Sequence, residues 1–194
     1  RARVDELTTL FNRRHFDECL KQEIDRHSRY SGLLCLIFLD LDFFKAYNDK
    51  YGHTSGDKVL TQIGHLLDRS IRNTDIAFRY GGDEFAILLP QTATEDAFIV
   101  AERVRGKIAN EMREAQIRIT ASLGLASWPG DGVTPDEIIN AADRTLYYAK
   151  QTGRNRTRMA TGVALSQVLK MEVQPDNKMA ILSTIYALAA TVDA

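Results

Sequence analysis

The stretch RYGGDEFAILLP, Arg79 to Pro90, puts two adjacent glycines and two adjacent acids directly ahead of an apolar run. Ile76 to Tyr80 and Phe85 to Leu89 flank the glycine pair. A two-residue Gly-Gly link supplies the positive φ angles of a tight hairpin turn, so the segment predicts a β-hairpin with Asp83 and Glu84 at its tip. Carboxylates at a strand end remain open to water or a cation, whereas inside the sheet each would need a partner. Taken alone, the two acids also fit a solvated hairpin tip.

Upstream, Leu33 to Leu39 is short, continuously apolar and followed by Asp40-Leu41-Asp42, which predicts a buried strand ending in acids. Asp40 and Asp42, two apart, share one face of that strand. Asn12 is placed to cap a helix over Arg13 to Tyr30, and Val59, Leu60, Ile63, Leu66 and Leu67 lie at helical spacing within Gly56 to Ile71. Ala97 to Met112 predicts another amphipathic helix and Ile117 to Ser127 another strand. Thr134-Pro135-Asp136-Glu137 carries a capping box with proline at the first helical position, opening a helix that stops near Gly153. Helices alternating with strands and a hairpin predict an α/β (α+β) fold: a mixed, largely antiparallel sheet flanked by helices.

Composition narrows the class. The 194 residues are 44% apolar and 26% charged, ordinary for a globular protein and unlike a disordered or membrane chain. With 25 basic and 26 acidic side chains the net charge is −1, so no overall field draws the chain to nucleic acid or an anionic membrane, and neither is an expected partner. Cys19 and Cys35, the only cysteines, form no metal-binding spacing, and no secretory signal is evident; a cytoplasmic setting is expected. The longest apolar run is too short to cross a bilayer. The chain begins at Arg1 without a methionine, which suggests a piece of something longer.

If the strand and the hairpin are neighbours, their acids converge. Clustered carboxylate oxygens suit Mg²⁺, which takes one or two carboxylates and fills its shell with substrate phosphate. Phe43-Phe44-Lys45 follows the strand acids at once, bringing backbone N–H groups and an ammonium to where phosphates would sit. Lys150 and Arg154 add charge near the end of the last helix, although the helix macrodipole also explains cations there.

DELTTLFNRRHF (Asp5 to Phe16), FLDLDFFKAYNDKYGHTSGDKVL (Phe38 to Leu60), RNTDIAFRYGGDEF (Arg72 to Phe85) and YYAKQTGRNR (Tyr147 to Arg156) together resemble the signature blocks of GGDEF domains, the diguanylate cyclases. The resemblance covers about Arg3 to Arg158. It implies a fold related to nucleotide cyclases and polymerase palm domains, and condensation of two GTP into cyclic di-GMP and two pyrophosphates across a homodimer. It implies Asp40 and Asp83 as ligands of Mg²⁺, with Mn²⁺ as an alternative, joined by the Leu41 carbonyl; Glu84 is a further ligand or helps deprotonate the 3′-hydroxyl. Asn48 and Asp57 would read guanine, and Phe43, Phe44, Lys45, Lys150 and Arg154 would hold the β- and γ-phosphates. Gly81 and Gly82 would let backbone approach the nucleotide.

Arg72-Asn73-Thr74-Asp75 stands at the spacing of the family's inhibitory RxxD site, which implies product binding by Arg72 and Asp75 with Arg103 as a second arm. Guanine's N7 and O6 can accept from Arg and its N1 and N2 can donate to Asp; an exposed ion pair is the plainer reading. His53 reads as structural, and Arg79 as the partner of a neighbouring acid. Beyond residue 158 the chain reads as linker and then, over Met179 to Ala194, as an apolar helix similar to the start of an HD-GYP domain. A GTP- or cyclic di-GMP-sensing module without turnover is the rival function, and degenerate members of that kind lose an acid that this chain keeps.

Overall fold

The computed structural model describes residues 3–30 and 32–161. The linker and the apolar helix expected further on lie outside the described residues. Among those described, the chain runs β1 (Phe11–Asn12), α1 (Arg13–Tyr30), β2 (Leu34–Asp42), α2 (Phe44–Tyr51), α3 (His53–Asp68), β3 (Ile76–Arg79), β4 (Glu84–Pro90), α4 (Thr94–Glu114), β5 (Thr120–Trp128), α5 (Pro135–Gln151) and β6 (Thr157–Met159). The expected mixed, largely antiparallel sheet flanked by helices is the fold observed.

Local chemistry sets several boundaries as the sequence predicts. Asn12 Oδ1 accepts from the His15 N–H at 3.1 Å at the start of α1. Thr134 Oγ1 accepts from the Glu137 N–H while Glu137 Oε2 accepts from the Thr134 N–H, completing the capping box of α5. The buried strand extends past its expected end at Leu39 to include both acids. Helix α3 opens at His53 rather than Gly56, and α2 was not foreseen: of its eight residues only Phe44 is buried, so it shows almost no apolar periodicity. Gly52, at φ +82°, separates the two helices in a conformation that side chains rarely adopt.

The six strands lie in the order β1-β3-β4-β2-β5-β6. Strand β2 is central, antiparallel to both β4 and β5, and all nine of its residues are buried. Odd positions Cys35, Ile37, Leu39 and Leu41 join a core with α3 and α4, whereas Leu34, Leu36 and Phe38 pack with α1 and α5 on the other face. A strand covered on both faces needs unbroken apolar sequence, and full burial of each such side chain contributes roughly 1.5–3 kcal/mol. Parity then fixes the site: Asp40 and Asp42 fall on the even face, toward α5. That helix crosses β5 at Gly124, where a Cβ would stand 2.3 Å from the Leu146 nitrogen and 2.4 Å from the Ala142 oxygen. Close approach of α5 to the sheet is how its last turn reaches the end of β2.

The hairpin is present but its turn differs from expectation. Gly81 and Gly82 are not among the residues with left-handed φ. The connection spans Tyr80 to Asp83, with the Tyr80 and Gly81 N–H groups both donating to the Glu84 carbonyl at 2.9 and 3.1 Å. Four residues share the reversal, so no mirror-image turn is required. Gly81 has a different constraint, because a Cβ there would lie 2.6 Å from Glu84 Oε2.

Candidate active site

Register brings the two acidic segments together. Asp40 is the cross-strand partner of Glu84, and the Leu41 N–H donates to the Asp83 carbonyl at 3.2 Å, joining the hairpin tip to the end of β2. Asp40 is 7% exposed, Asp83 half-buried and Glu84 exposed. Lys150, from the last turn of α5, reaches Asp40 Oδ2 with its Nζ at 2.7 Å. Burial pushes the Asp40 carboxyl up to about 6; the Lys150 ammonium opposes this, and the charges of Asp83 and Glu84 add to it.

These groups open onto a cavity of about 410 Å³ whose lining includes Asp40, Leu41, Phe43, Phe44, Lys45, Asp83, Lys150 and Arg154. Glu84 lines an adjoining cavity that shares Lys150. Phe43 holds φ 64° and is 59% exposed, and its left-handed backbone turns the chain directly from β2 into α2. The first N–H groups of α2 are thereby left at the cavity, where an anion is favoured. Arg154 lies over the Phe43 ring at 5.2 Å, so its guanidinium is held at the mouth although the residue is exposed.

Asp42 has a separate task. Its carboxylate accepts from Thr120 Oγ1 at 2.7 Å, from Ser122 Oγ at 2.8 Å and from the Asn155 N–H at 3.0 Å. A buried acid with three donors is satisfied, and it ties the loop carrying Arg154 to β2 and β5. Thr120 and Ser122 are about 80 positions away in sequence, so pairing of β2 with β5 had to be known first.

The hairpin is braced from behind. Arg79 donates to both oxygens of Asp5 at 3.1 Å, to the Gly81 carbonyl at 3.2 Å and to the Gly82 carbonyl at 2.9 Å. The expected acidic partner of Arg79 is therefore Asp5, which also caps the following turn by accepting from Thr8 N and Oγ1. Hydrogen bonds from Thr8 and Arg79 outweigh partial burial and lower the Asp5 carboxyl below its ordinary range.

Other candidates stand apart from the cavity of Asp40. Asn48 is on α2, and Asp57, exposed near the start of α3, lines a different opening with Leu7, His65 and Arg69. His53 is exposed at the first position of α3. Arg72 and Asp75 form one turn, in which the Arg72 N–H donates to Asp75 Oδ2 and the Asp75 N–H to the Arg72 carbonyl, both at 3.0 Å. This turn borders a cavity of about 430 Å³ with Thr9, Phe11 and Asp68. Arg103 donates from Nη2 to the Ser70 carbonyl at 2.9 Å, just ahead of the turn.

Among the described residues no three His, Cys, Asp or Glu side chains gather closely enough to hold a metal ion by themselves. The donor set still fits Mg²⁺, because a poorly hydrated Asp40 feels two further carboxylates against a single ammonium, and Mg²⁺ needs only one or two carboxylates when phosphate and water complete its shell.

The sequence matches the family described as "Diguanylate cyclase, GGDEF domain" over residues 2–156. It is 42% identical over 164 residues to the uncharacterized protein YhcK of Bacillus subtilis, covering 80% of this chain and 45% of that protein. It is 40% identical over 154 residues to the diguanylate cyclase DgcS of Shewanella oneidensis, covering 79% of this chain and 51% of that protein. The chain thus spans about half the length of these two relatives. The crystal structure of the GGDEF domain of DgcB from Caulobacter crescentus in complex with c-di-GMP superposes with a TM-score of 0.75 at 33% identity, covering 83% of this chain and 97% of that one. On the combined weight of the family match, these relatives and the shared fold, the chain belongs to the diguanylate cyclase GGDEF-domain family, a family of nucleotidyltransferase-type enzymes.

Proposed function

We propose that this chain condenses two GTP into cyclic di-GMP and two pyrophosphates, with Mg²⁺ or Mn²⁺ and as a symmetric pair of chains. The observation that carries the reading is the convergence of Asp40, Asp83 and Lys150 on one cavity at the N-terminus of α2, with Glu84 opposite Asp40 across the strands. Asp40, Asp83 and the Leu41 carbonyl would hold the metal, with Glu84 as a further ligand or as the group that draws the proton from the attacking 3′-hydroxyl. When bound, the ion activates that oxygen and offsets the charge of the departing pyrophosphate. Lys45, Lys150, Arg154 and the α2 N-terminus bind and orient the β- and γ-phosphates. A triphosphate entering the cavity offers Lys150 a second anionic partner beside Asp40. Asn48 and Asp57 read the guanine edge, and Arg72, Asp75 and Arg103 form a site for the product.

Attack by each 3′-oxygen on the α-phosphorus of the other nucleotide requires two sites facing each other, so the active species is a homodimer. No helix among the described residues is long and apolar enough to cross a membrane. Both cysteines are free and buried, which suits a reducing cytoplasm where GTP is available.

Incubation with GTP and Mg²⁺, followed by mass analysis, is expected to give cyclic di-GMP and pyrophosphate. Asp83→Ala should lower the rate by roughly a hundredfold or more with little change in thermal stability, since a half-buried tip acid contributes little packing. A monocyclic product, or near-normal turnover of the variant at saturating Mg²⁺, would overturn the reading.

A further inference from the structure

We propose that Asn155 is a positioning residue for the triphosphate: Arg105 on α4 grips its side chain and so holds the neighbouring Arg154 at the mouth of the Asp40 cavity. Arg154 and Asn155 follow α5 with φ of 59° and 43°, a left-handed pair that contains no glycine. Side chains disfavour that region, Asn less than most, so such a pair persists only where its surroundings impose it. Two elements do so. The Asn155 N–H donates to Asp42 Oδ2 at 3.0 Å, which fixes the backbone to the end of β2. Arg105 Nη1 donates to Asn155 Oδ1 at 2.9 Å, which fixes the side chain to α4, 50 positions away in sequence.

The gripping group is itself held in place. Glu102 accepts from Arg105 Nε on one oxygen and from Nη2 on the other, each at 2.9 Å, which leaves Nη1 for Asn155. A forked pair of this kind sets the plane of the guanidinium as well as its position. Hydrogen bonding from Arg105 is the chief cause that holds the Glu102 carboxyl below its ordinary range, so the pair is charged at neutral pH. Arg154, by contrast, is exposed, with its guanidinium over the Phe43 ring at 5.2 Å. Ordering a long exposed side chain around a ligand costs entropy, and a backbone already set toward the cavity lowers that cost.

This inference rests on Arg154 meeting the β- and γ-phosphates, and the experiment separates the two claims. Binding of the α,β-methylene analogue of GTP, and of GMP, which lacks both phosphates, is followed by NMR titration of the whole chain. The variants are Arg154→Ala, Asn155→Gly, Arg105→Ala, Arg105→Ala/Asn155→Gly and Arg154→Ala/Asn155→Gly. Glycine accepts the left-handed backbone freely, so Asn155→Gly removes the grip without adding strain. The grip predicts that Asn155→Gly and Arg105→Ala each lose roughly fivefold in affinity for the triphosphate analogue and keep their affinity for GMP. Joining these two changes costs nothing further, and Asn155→Gly adds nothing to Arg154→Ala. Wild-type triphosphate binding by Asn155→Gly beside impaired Arg154→Ala, equal loss of both ligands, or losses that multiply in either double variant overturns the grip. Undiminished triphosphate binding by Arg154→Ala overturns the phosphate assignment beneath it. Should Asn155→Gly not fold, Arg105→Lys keeps the charge and gives up the fork. This variant is expected to lose the triphosphate analogue by about the same factor; undiminished binding contradicts the role of Arg105.

Discussion

Asp40 is where burial and function conflict. Its carboxyl stands at about 6, against an ordinary 3.8, chiefly because burial penalises the charge. Between roughly pH 4 and pH 6 the folded chain therefore holds a proton that the unfolded chain has released. Stability from this residue is present below that window and lost as pH rises through it, the reverse of the usual salt-bridged acid. Chemical denaturation in metal-free buffer should show the wild type losing stability across the window, while Asp40→Asn stays flatter and overtakes it above about pH 6. Parallel pH profiles for the two proteins would show that Asp40 is not the strained group. The same strain gives a cation with phosphate ligands something to relieve, since a compensating charge lowers the carboxyl again.

At the scale of elements, the sequence carried the chemistry further than the geometry. The buried strand, the hairpin, the α5 capping box and four of the five helices were legible because apolar runs, period and caps are local signals. Helix α2 was not, since Phe44 is its only buried residue, and neither were β1 and β6, which are two and three residues long and join the sheet by parallel pairing with β3 and β5. The Gly-Gly turn was mistaken because dipeptide identity does not reveal that Tyr80 and Asp83 share the reversal. Asp40, Asp83 and Lys150 were recognised as candidates in advance, but the anchoring role of Asp42 depends on strands paired across long sequence distances. The same holds for the turn from Ser70 to Asp75, which α4 fixes through Arg103 on the Ser70 carbonyl and Lys107 on the Ser70 hydroxyl. Arg72 itself is exposed, and only its backbone is committed to the turn. Arg72→Ala should therefore spare the turn and the initial rate while weakening inhibition by cyclic di-GMP roughly tenfold. Inhibition of equal potency in wild type and variant would remove Arg72 from the product site.

At the scale of the whole molecule, the sheet delivers the cavity lined by Asp40, Asp83, Lys150 and Arg154 to the shared end of β2, the hairpin and α5. Asp5 is bonded through Arg79 to the Gly81 and Gly82 carbonyls, so the segment ahead of β1 braces the hairpin from behind. Under the proposed function, one cavity holding one GTP cannot close a ring of two nucleotides, so turnover would depend on a second chain. Initial rates of cyclic di-GMP formation across a wide dilution series, with light scattering on the same samples, test this directly. The two-chain mechanism predicts that rate per chain falls in proportion to concentration once monomers dominate, and levels off where dimers do. A rate per chain that stays constant down to concentrations where only monomer is present would contradict it.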